Sequence, residues 1–391
     1  MSNSQKLSRI KQISLNVLLI LFSIIVVITL SEIALHFTKY TSTLNTKYGY
    51  PIHYFEKDAV LGYDIGKNIK DKKHIMRNTS YEVFSNKFGC FDYDRKVPDN
   101  YGLIVGDSQT WGYTRLDKKW TTKLEEESGN FMLKCGVTGF GTSQELIKAK
   151  AVISKVGKNP KYLTVLYIPN DLNDDFIYPF RTIVQGYLVS TVKNIDLKTG
   201  EKTYYTSDEL DKEYQKYFDD SLENKFKKMR YNMITYMLYR NVAKPKIRDF
   251  KNRILNKDKN LIHEEVGNKE AKITMPDSSD EAYTVGLCNY FDTYDREWYN
   301  DLIDLHKNNI KSFKDYADKI GANLLFIDAS GVLNHQRFSD VREYLGKSYY
   351  NLSSDYPDQS TWRSDGHWNI EGNQNVGEYI YKHYKKLGIL K

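Results

Sequence analysis

Between residues 101 and 169, three short apolar runs alternate with two helical segments, and that order leaves few folds open. "YGLIVGD", "NFMLKCG" and "KYLTVLYIP" are of strand length and rich in Val, Ile, Leu, Phe and Tyr, as strands buried on both faces are. "KKWTTKLEEES" sets Trp120 and Leu124 on one helical face. "TSQELIKAKAVISKV" opens on a Thr-Ser-Gln-Glu capping pattern and continues as an amphipathic helix. A β-α-β-α-β order implies a parallel sheet with right-handed crossovers. The pattern returns later, with a helix from about Asp295 to Ile320, the strand "ANLLFIDAS" and the closing helix "IEGNQNVGEYIYKHYKKLG". The expected class is α/β.

Between the two halves the alternation lapses. "GYLVSTVKNIDLKTGEKTYY" alternates around Lys198-Thr199-Gly200 and predicts an inserted hairpin. A helical stretch is expected from Asp208 to about Lys257, broken or kinked at Pro245, followed by a polar loop over 260–282. The basic residues between 225 and 259 read as a solvated helix face of a lysine-rich chain; an anionic surface is the alternative partner. The insertion is thus placed at about 177–290.

The N-terminus carries a second constraint. "ISLNVLLILFSIIVVITL", Ile13 to Leu30, with patchy apolar character to Phe37, approaches the ~20 residues that cross a bilayer as a helix. Its interruptions (Asn16, Ser23, Thr29, Ser31) are uncharged, Glu32 lies near its far end, and Lys6, Arg9 and Lys11 precede it with no acid among them. The positive-inside rule then leaves residues 1–12 cytoplasmic and carries the rest across. The run is long for a signal peptide and lacks an A-x-A site, so an uncleaved anchor over 13–37 is expected. A polar stalk follows over 38–57, and a soluble domain over 58–391.

The net charge of +7 is mild and spread out, which suits a membrane surface or acidic glycan and argues against a nucleic-acid partner. Zinc-type spacing, a P-loop and aromatic-basic RNA motifs are absent, so neither a metal nor a cofactor is expected. The three cysteines, Cys90, Cys135 and Cys288, define no disulfide framework. Free buried thiols are expected, with one bridge allowed outside the cytoplasm.

In an open parallel sheet, ligands sit at the carboxyl ends of the strands. Three loops should share that edge: Gly106-Asp107-Ser108, "GVTGFGTSQ" from Gly136, and Pro169-Asn170-Asp171; "SDGHWNIEGN" from Ser364 can return to it. Ser108 offers a hydroxyl at a helix N-terminus. Gly139 offers a backbone N–H, Asn170 an amide NH2, and with the N–H of Ser108 these would form an oxyanion hole. His367 can take the serine proton and Asp365 can orient the imidazole. Taken singly, each reads as an ordinary turn or loop; their order along the chain is what points to acyl transfer.

That ordered set resembles the SGNH hydrolase family, also called GDSL esterases and acyltransferases, in a membrane-anchored form. "GDSQTWG" is similar to the family's first block, with Ser108 as nucleophile; Gly139 in "GVTGFG" to the second; Asn170 in "IPND" to the third. Asp365 and His367 in "DGHW" are similar to the last block, with one residue between them where the family commonly has two. Ile168 stands where the third block usually has glycine. The resemblance covers about 58–176 and 290–388 and implies a flavodoxin-like three-layer α/β/α fold. The G-x-S-x-G elbow of α/β-hydrolases is absent.

The resemblance implies an extracytoplasmic serine esterase or O-acyltransferase working through an acyl-serine on acetyl-type esters of an envelope or extracellular polysaccharide. The partners so implied are the bilayer, an acylated glycan and a membrane-bound acyl-donor protein. The alternative is a catalytically degenerate glycan-binding or scaffolding domain.

Overall fold

The computed structural model describes residues 3–36, 48–76, 79–179, 181–218, 287–292, 295–356 and 366–390. The chain forms two compact units: Met1–Gly49, Ile75–Ser80 and Gln215–Glu270 in one, and Tyr50–His74, Tyr81–Tyr214 and Ala271–Lys391 in the other.

The first unit contains α1 (Asn3–His36), and in it Tyr48 and Gly49 pair antiparallel with Met76 and Ile75. Within α1, Gln12–Leu35 has a mean hydropathy of 2.8 over 24 residues, long and apolar enough to cross a membrane. Its few hydroxyls are internally satisfied: Ser23 and Thr29 donate to the carbonyls of Leu19 and Ile25, each at 2.8 Å.

The second unit starts with a hairpin of β1 (Phe55–Asp58) and β2 (Gly62–Ile65). Then come β3 (Gly102–Gly106), the single turn α2 (Ser108–Trp111), α3 (Trp120–Ser128) and β4 (Met132–Lys134). They are followed by α4 (Thr142–Val156), β5 (Tyr162–Tyr167) and α5 (Asn170–Phe176). Two hairpins come next, β6 (Arg181–Val184) with β7 (Tyr187–Ser190) and β8 (Val192–Asp196) with β9 (Glu201–Tyr204). The chain continues through α6 (Ser207–Phe218), α7 (Glu297–Ile320), β10 (Asn323–Asp328), β11 (Tyr349–Asn351) and α8 (Ile370–Lys386).

Five strands form one parallel sheet in the order β4-β3-β5-β10-β11. Counted as they occur in the sheet, that is the 2-1-3-4-5 order of flavodoxin-like folds. Strand side chains alternate between two cores. Leu103, Val105, Leu163, Val165, Leu324 and Phe326 pack with Val152 of α4 and Phe313 of α7. Ile104, Tyr162, Leu166, Leu325 and Ile327 pack with Leu124 of α3 and Ile380 of α8. Helices therefore cover both faces, giving three layers, and the central strands read as continuous apolar runs because neither face meets water.

Some expectations change. The cap of α4 is Gly141, whose N–H meets the Gln144 side chain at 3.3 Å. The Thr142 and Ser143 hydroxyls, expected at the cap, instead donate to Asp175 at 2.5 and 2.9 Å. The hairpin around Lys198-Thr199-Gly200 is present, and β6–β7 is a further one that the alternation did not reveal. Its turn, Gln185-Gly186, takes positive φ at both residues (49° and 84°), as a type I′ hairpin turn requires. The helical stretch expected to Lys257 is described only to Phe218. Pro245, the basic stretch of 225–259, the loop of 260–282 and residues 38–47 of the expected stalk lie outside the described residues.

The cysteines are a correction. Cys90 and Cys135 form a disulfide with Cα atoms 4.4 Å apart, and Cys288 is the free thiol. The segment before β3 folds back against the end of β4, which joins residues 45 apart in sequence, a proximity that spacing alone does not encode. Closing a loop of that length removes denatured-state entropy worth about 2–4 kcal/mol. The double variant Cys90→Ala, Cys135→Ala is expected to lose about that much unfolding free energy in a urea titration. Reductant should then destabilise the native protein and leave the variant unaffected.

Candidate active site

β3 and β5 are parallel neighbours, so Ser108 and Asn170, which follow them, emerge at the same edge of the sheet. The strand order reverses beside β3, which makes this edge the topological switch point where such sheets bind ligands. The loop after β4 is tied there too, since Val137 N–H donates to Gly106 O at 2.9 Å. Gly136 permits the approach: a Cβ on it would lie 2.6 Å from Trp111 N and from Thr110 Cγ2. Ser108, Gly139, Asn170 and His367 are each partly exposed, whereas the Asp107 and Thr138 side chains between them are buried.

His367 Nε2 lies 2.9 Å from Ser108 Oγ although 259 residues separate them. Ser108 Oγ also donates to Asp107 Oδ2 at 2.9 Å, so one hydroxyl has two polar partners. The loop bearing His367 is clamped on both sides by Gln109. Its Nε2 donates to Gly366 O at 2.7 Å, and its Oε1 accepts from Trp368 N at 3.4 Å. The Tyr113 ring stands edge-on to the imidazole, centroids 4.3 Å apart. Asp365 lies outside the described residues. α2 is a single turn, so its dipole adds little at Ser108, contrary to what a longer helix would supply.

Asn170 Nδ2 donates to Asp107 Oδ2 at 3.1 Å and to Asp174 Oδ2 at 2.8 Å, which engages both amide hydrogens. Gly139 has φ +74°, a left-handed turn that favours glycine. A Cβ there would meet Tyr63 Oη and Arg181 Nη1, each at 3.1 Å. Tyr63 fixes the turn by donating to Thr138 O at 2.6 Å, and the Thr138 hydroxyl meets those of Tyr50 and Tyr113 at 2.9 and 3.0 Å. The structure thus gathers Ser108, His367 and Asn170 around Asp107, with Gly139 in the adjoining loop.

Beneath this edge lies a set of buried acids. Burial raises the Asp107 carboxyl, opposed by hydrogen bonds from Gln109 N–H and Asn170 and by the His367 charge. Burial pushes Asp171 and Glu145 well above the carboxylate range, helped by the charges of Glu145 and Asp107 at Asp171 and of Asp107, Asp175 and Asp174 at Glu145. Neither Glu145 oxygen has a hydrogen-bond partner among the described residues. Burial would also raise Asp175, but the His306 imidazole, 2.7 Å away, together with Thr142 and Ser143, holds it below the usual value. Among the described residues no three His, Cys, Asp or Glu side chains are arranged to hold a metal ion.

Burial carries Asp174 up to about 7, with Asn170 pulling the other way. A raised value means that stability is full below about pH 4 and falls as pH rises through 7 and the buried carboxyl ionises. Asp174→Asn removes that loss and keeps an acceptor for Asn170. Its stability relative to the native protein is expected to improve from pH 5 to pH 8 by roughly 2–4 kcal/mol, followed by chemical denaturation at each pH.

Asp107, Gln109 and Asp174 are site residues that sequence reasoning missed as such. The signal for Asp107 was present, an acid closing a wholly apolar strand; for the other two there was none. Compared with known proteins, the chain matches no family model and no curated protein sequence.

Proposed function

We propose that the chain is a membrane-anchored serine esterase or O-acyltransferase of the SGNH kind, acting on acyl esters of an extracytoplasmic glycan. The observation that carries this reading is the 2.9 Å approach of His367 Nε2 to Ser108 Oγ at the switch-point edge of the sheet. An alcohol within hydrogen-bond distance of an imidazole base is the arrangement nucleophilic acyl transfer needs.

Ser108 Oγ attacks the ester carbonyl carbon while its proton passes to His367 Nε2. The resulting oxyanion is met by the N–H groups of Ser108 and Gly139 and by Asn170 Nδ2, one hydrogen of which swings from Asp107 or Asp174 to the substrate. Collapse expels the alcohol, which takes the proton from His367 and leaves an acyl-serine. Water or a sugar hydroxyl then attacks that acyl group and gives its proton to His367, which returns it to Ser108 as the serine departs. Asp365 is assigned to orient the imidazole.

The apolar helix and the basic residues before it support a cytoplasmic N-terminus with the second unit outside. The Cys90–Cys135 disulfide supports the same side, since such bonds persist in oxidising compartments. The bilayer, an acylated glycan and a membrane-bound acyl-donor protein are the proposed partners.

Asn170→Ala is expected to lower kcat by about 10²–10³-fold with a small change in KM, the range for losing one oxyanion donor. The reading itself is tested by incubating the full-length protein in neutral detergent with acetylated and unacetylated envelope glycans plus an acetyl donor. Acetate release identifies an esterase and acetyl gain a transferase. A folded protein that does neither, and that a fluorophosphonate probe leaves unlabelled, is instead a glycan-binding domain.

A further inference from the structure

Asn170 opens α5, and Asp174 stands four residues on, one turn further along the same helical face. The Asn170 amide carries two hydrogens, and buried acids hold both: Asp107 Oδ2 at 3.1 Å and Asp174 Oδ2 at 2.8 Å. This amide can therefore meet an oxyanion only after one acid gives its hydrogen up. The backbone of Asp174 does not supply the movement. It packs on the cap of α4, where a Cβ built on Gly141 would stand 2.7 Å from Asp175 N and 3.0 Å from Asp174 C. The release is a rotation of the Asn170 side chain, and Asn170 is partly exposed.

The chemistry of attack selects which acid lets go. Asp107 accepts from Gln109 N–H on Oδ1 and from both the Ser108 hydroxyl and Asn170 on Oδ2. When Ser108 passes its proton to His367, Oδ2 loses the hydroxyl's hydrogen. Were Asn170 to leave as well, that buried oxygen would lose both of its side-chain donors in one step, which is costly for a carboxylate. Among the described residues, Asp174 accepts only the Asn170 bond. Burial carries Asp174 up to about 7, so near neutrality much of it is a neutral acid, for which losing a donor costs less. The charged groups that face it are Asp107 after β3, Asp171 and Asp175 on α5, Glu145 on α4 and Arg181 on β6; of these, Arg181 alone favours the carboxylate.

We propose that Asp174 is a positioning residue for the reaction at Ser108: it holds the Asn170 amide turned from the substrate and, as a neutral acid, releases one amide hydrogen to the oxyanion while Asp107 keeps the other. This rests on the esterase or acyltransferase reading and deepens it. The ionised carboxylate grips the amide more strongly, because a hydrogen bond to a charged acceptor is the stronger one. Below about 7 Asp174 is protonated and the donor is available; above it the carboxylate withholds the donor. The imidazole base by itself gives the opposite trend, with activity rising as it loses its proton.

The test uses the full-length protein in neutral detergent between about pH 5.5 and 9.5. The kcat/KM for p-nitrophenyl acetate, corrected by the Ser108→Ala rate, and the rate of fluorophosphonate labelling are measured at each pH, with folding followed by circular dichroism. In the native protein both rates are expected to fall by about tenfold or more from about pH 7 to 9, within the ~10²–10³ that one oxyanion donor is worth. Asp174→Asn stays neutral and keeps an acceptor for Asn170, so the fall should vanish and the variant should exceed the native protein by about tenfold or more near pH 9. Asn170→Ala should be slower throughout and should also lack the fall, because Asp174 then has no donor to withhold.

A native profile with no fall above about pH 7, an equal fall in Asp174→Asn, or a fall retained in Asn170→Ala overturns the role of Asp174. A merely structural role would change the folded fraction and leave the shape of the profile as it is. Should Asp174→Asn fail to fold, the native and Asn170→Ala profiles decide the matter. The two readings fail distinguishably. No Ser108-dependent hydrolysis or labelling at any pH sinks the esterase reading, and the role of Asp174 with it. Ser108-dependent turnover whose pH profile ignores Asp174→Asn sinks only the role of Asp174.

Discussion

Ser108→Ala is expected to lower kcat toward acyl esters by about 10⁴–10⁶-fold, the scale seen when a hydrolase loses its nucleophile. Fluorophosphonate labelling should vanish with it. The fold should persist, because Ser108 is partly exposed and, among the described residues, its hydroxyl bonds only His367 and Asp107. Asp107 keeps Gln109 N–H at 2.9 Å and Asn170 Nδ2 at 3.1 Å, so the buried carboxylate is not left bare. Unfolding free energy should therefore shift by no more than about 1 kcal/mol, the ordinary worth of one hydrogen bond. A folded variant that retained labelling, or turnover within tenfold of the native protein, would show that another group attacks the ester.

The sheet was legible because its central strands are covered on both sides. β3, β5 and β10 appear in the sequence as nearly continuous apolar runs, and their order with the helices between them leaves a parallel sheet as the natural outcome. The β6–β7 hairpin was not legible. Seven of its eight strand residues are half-buried, so no alternation is imposed, and Gln185-Gly186 lacks the Asn-Gly or Asp-Gly signal of such turns. The disulfide escaped for a related reason: its closure depends on how a polar lead-in folds over the end of β4, which no local pattern records.

The site divides in the same way. Parallel strands put every strand-end loop on one edge, so topology alone predicts that Ser108 and Asn170 are neighbours. His367 could be placed because its loop immediately precedes α8, which packs on the same sheet as α3. What holds these groups was hidden. The Gln109 clamp on Gly366 and Trp368, and the sharing of Asn170 between Asp107 and Asp174, join residues that only the folded chain brings together.

His367→Ala leaves Asp107 as the remaining described partner of the Ser108 hydroxyl, and its expected effect is a loss in kcat of about 10⁴–10⁶-fold, close to that of Ser108→Ala. Asp107 then remains within 2.9 Å of Oγ and can take its hydrogen bond. That bond does not substitute for the base. Asp107 is fixed by Gln109 N–H and Asn170 in the buried floor of the site, and it has no route to hand the proton to a departing alcohol. His367 is partly exposed at the edge proposed for substrate, where an imidazole could both accept the serine proton and release it to the leaving group. The measurement is kcat and fluorophosphonate labelling rate for His367→Ala, Ser108→Ala and the double variant. Residues acting as one unit should give a double variant no slower than either single one, because once the base or the nucleophile is gone the other has nothing left to do. Losses that multiplied, or a His367→Ala protein that labelled at the native rate, would show that Asp107 or another group serves as the base and that the 2.9 Å contact is structural.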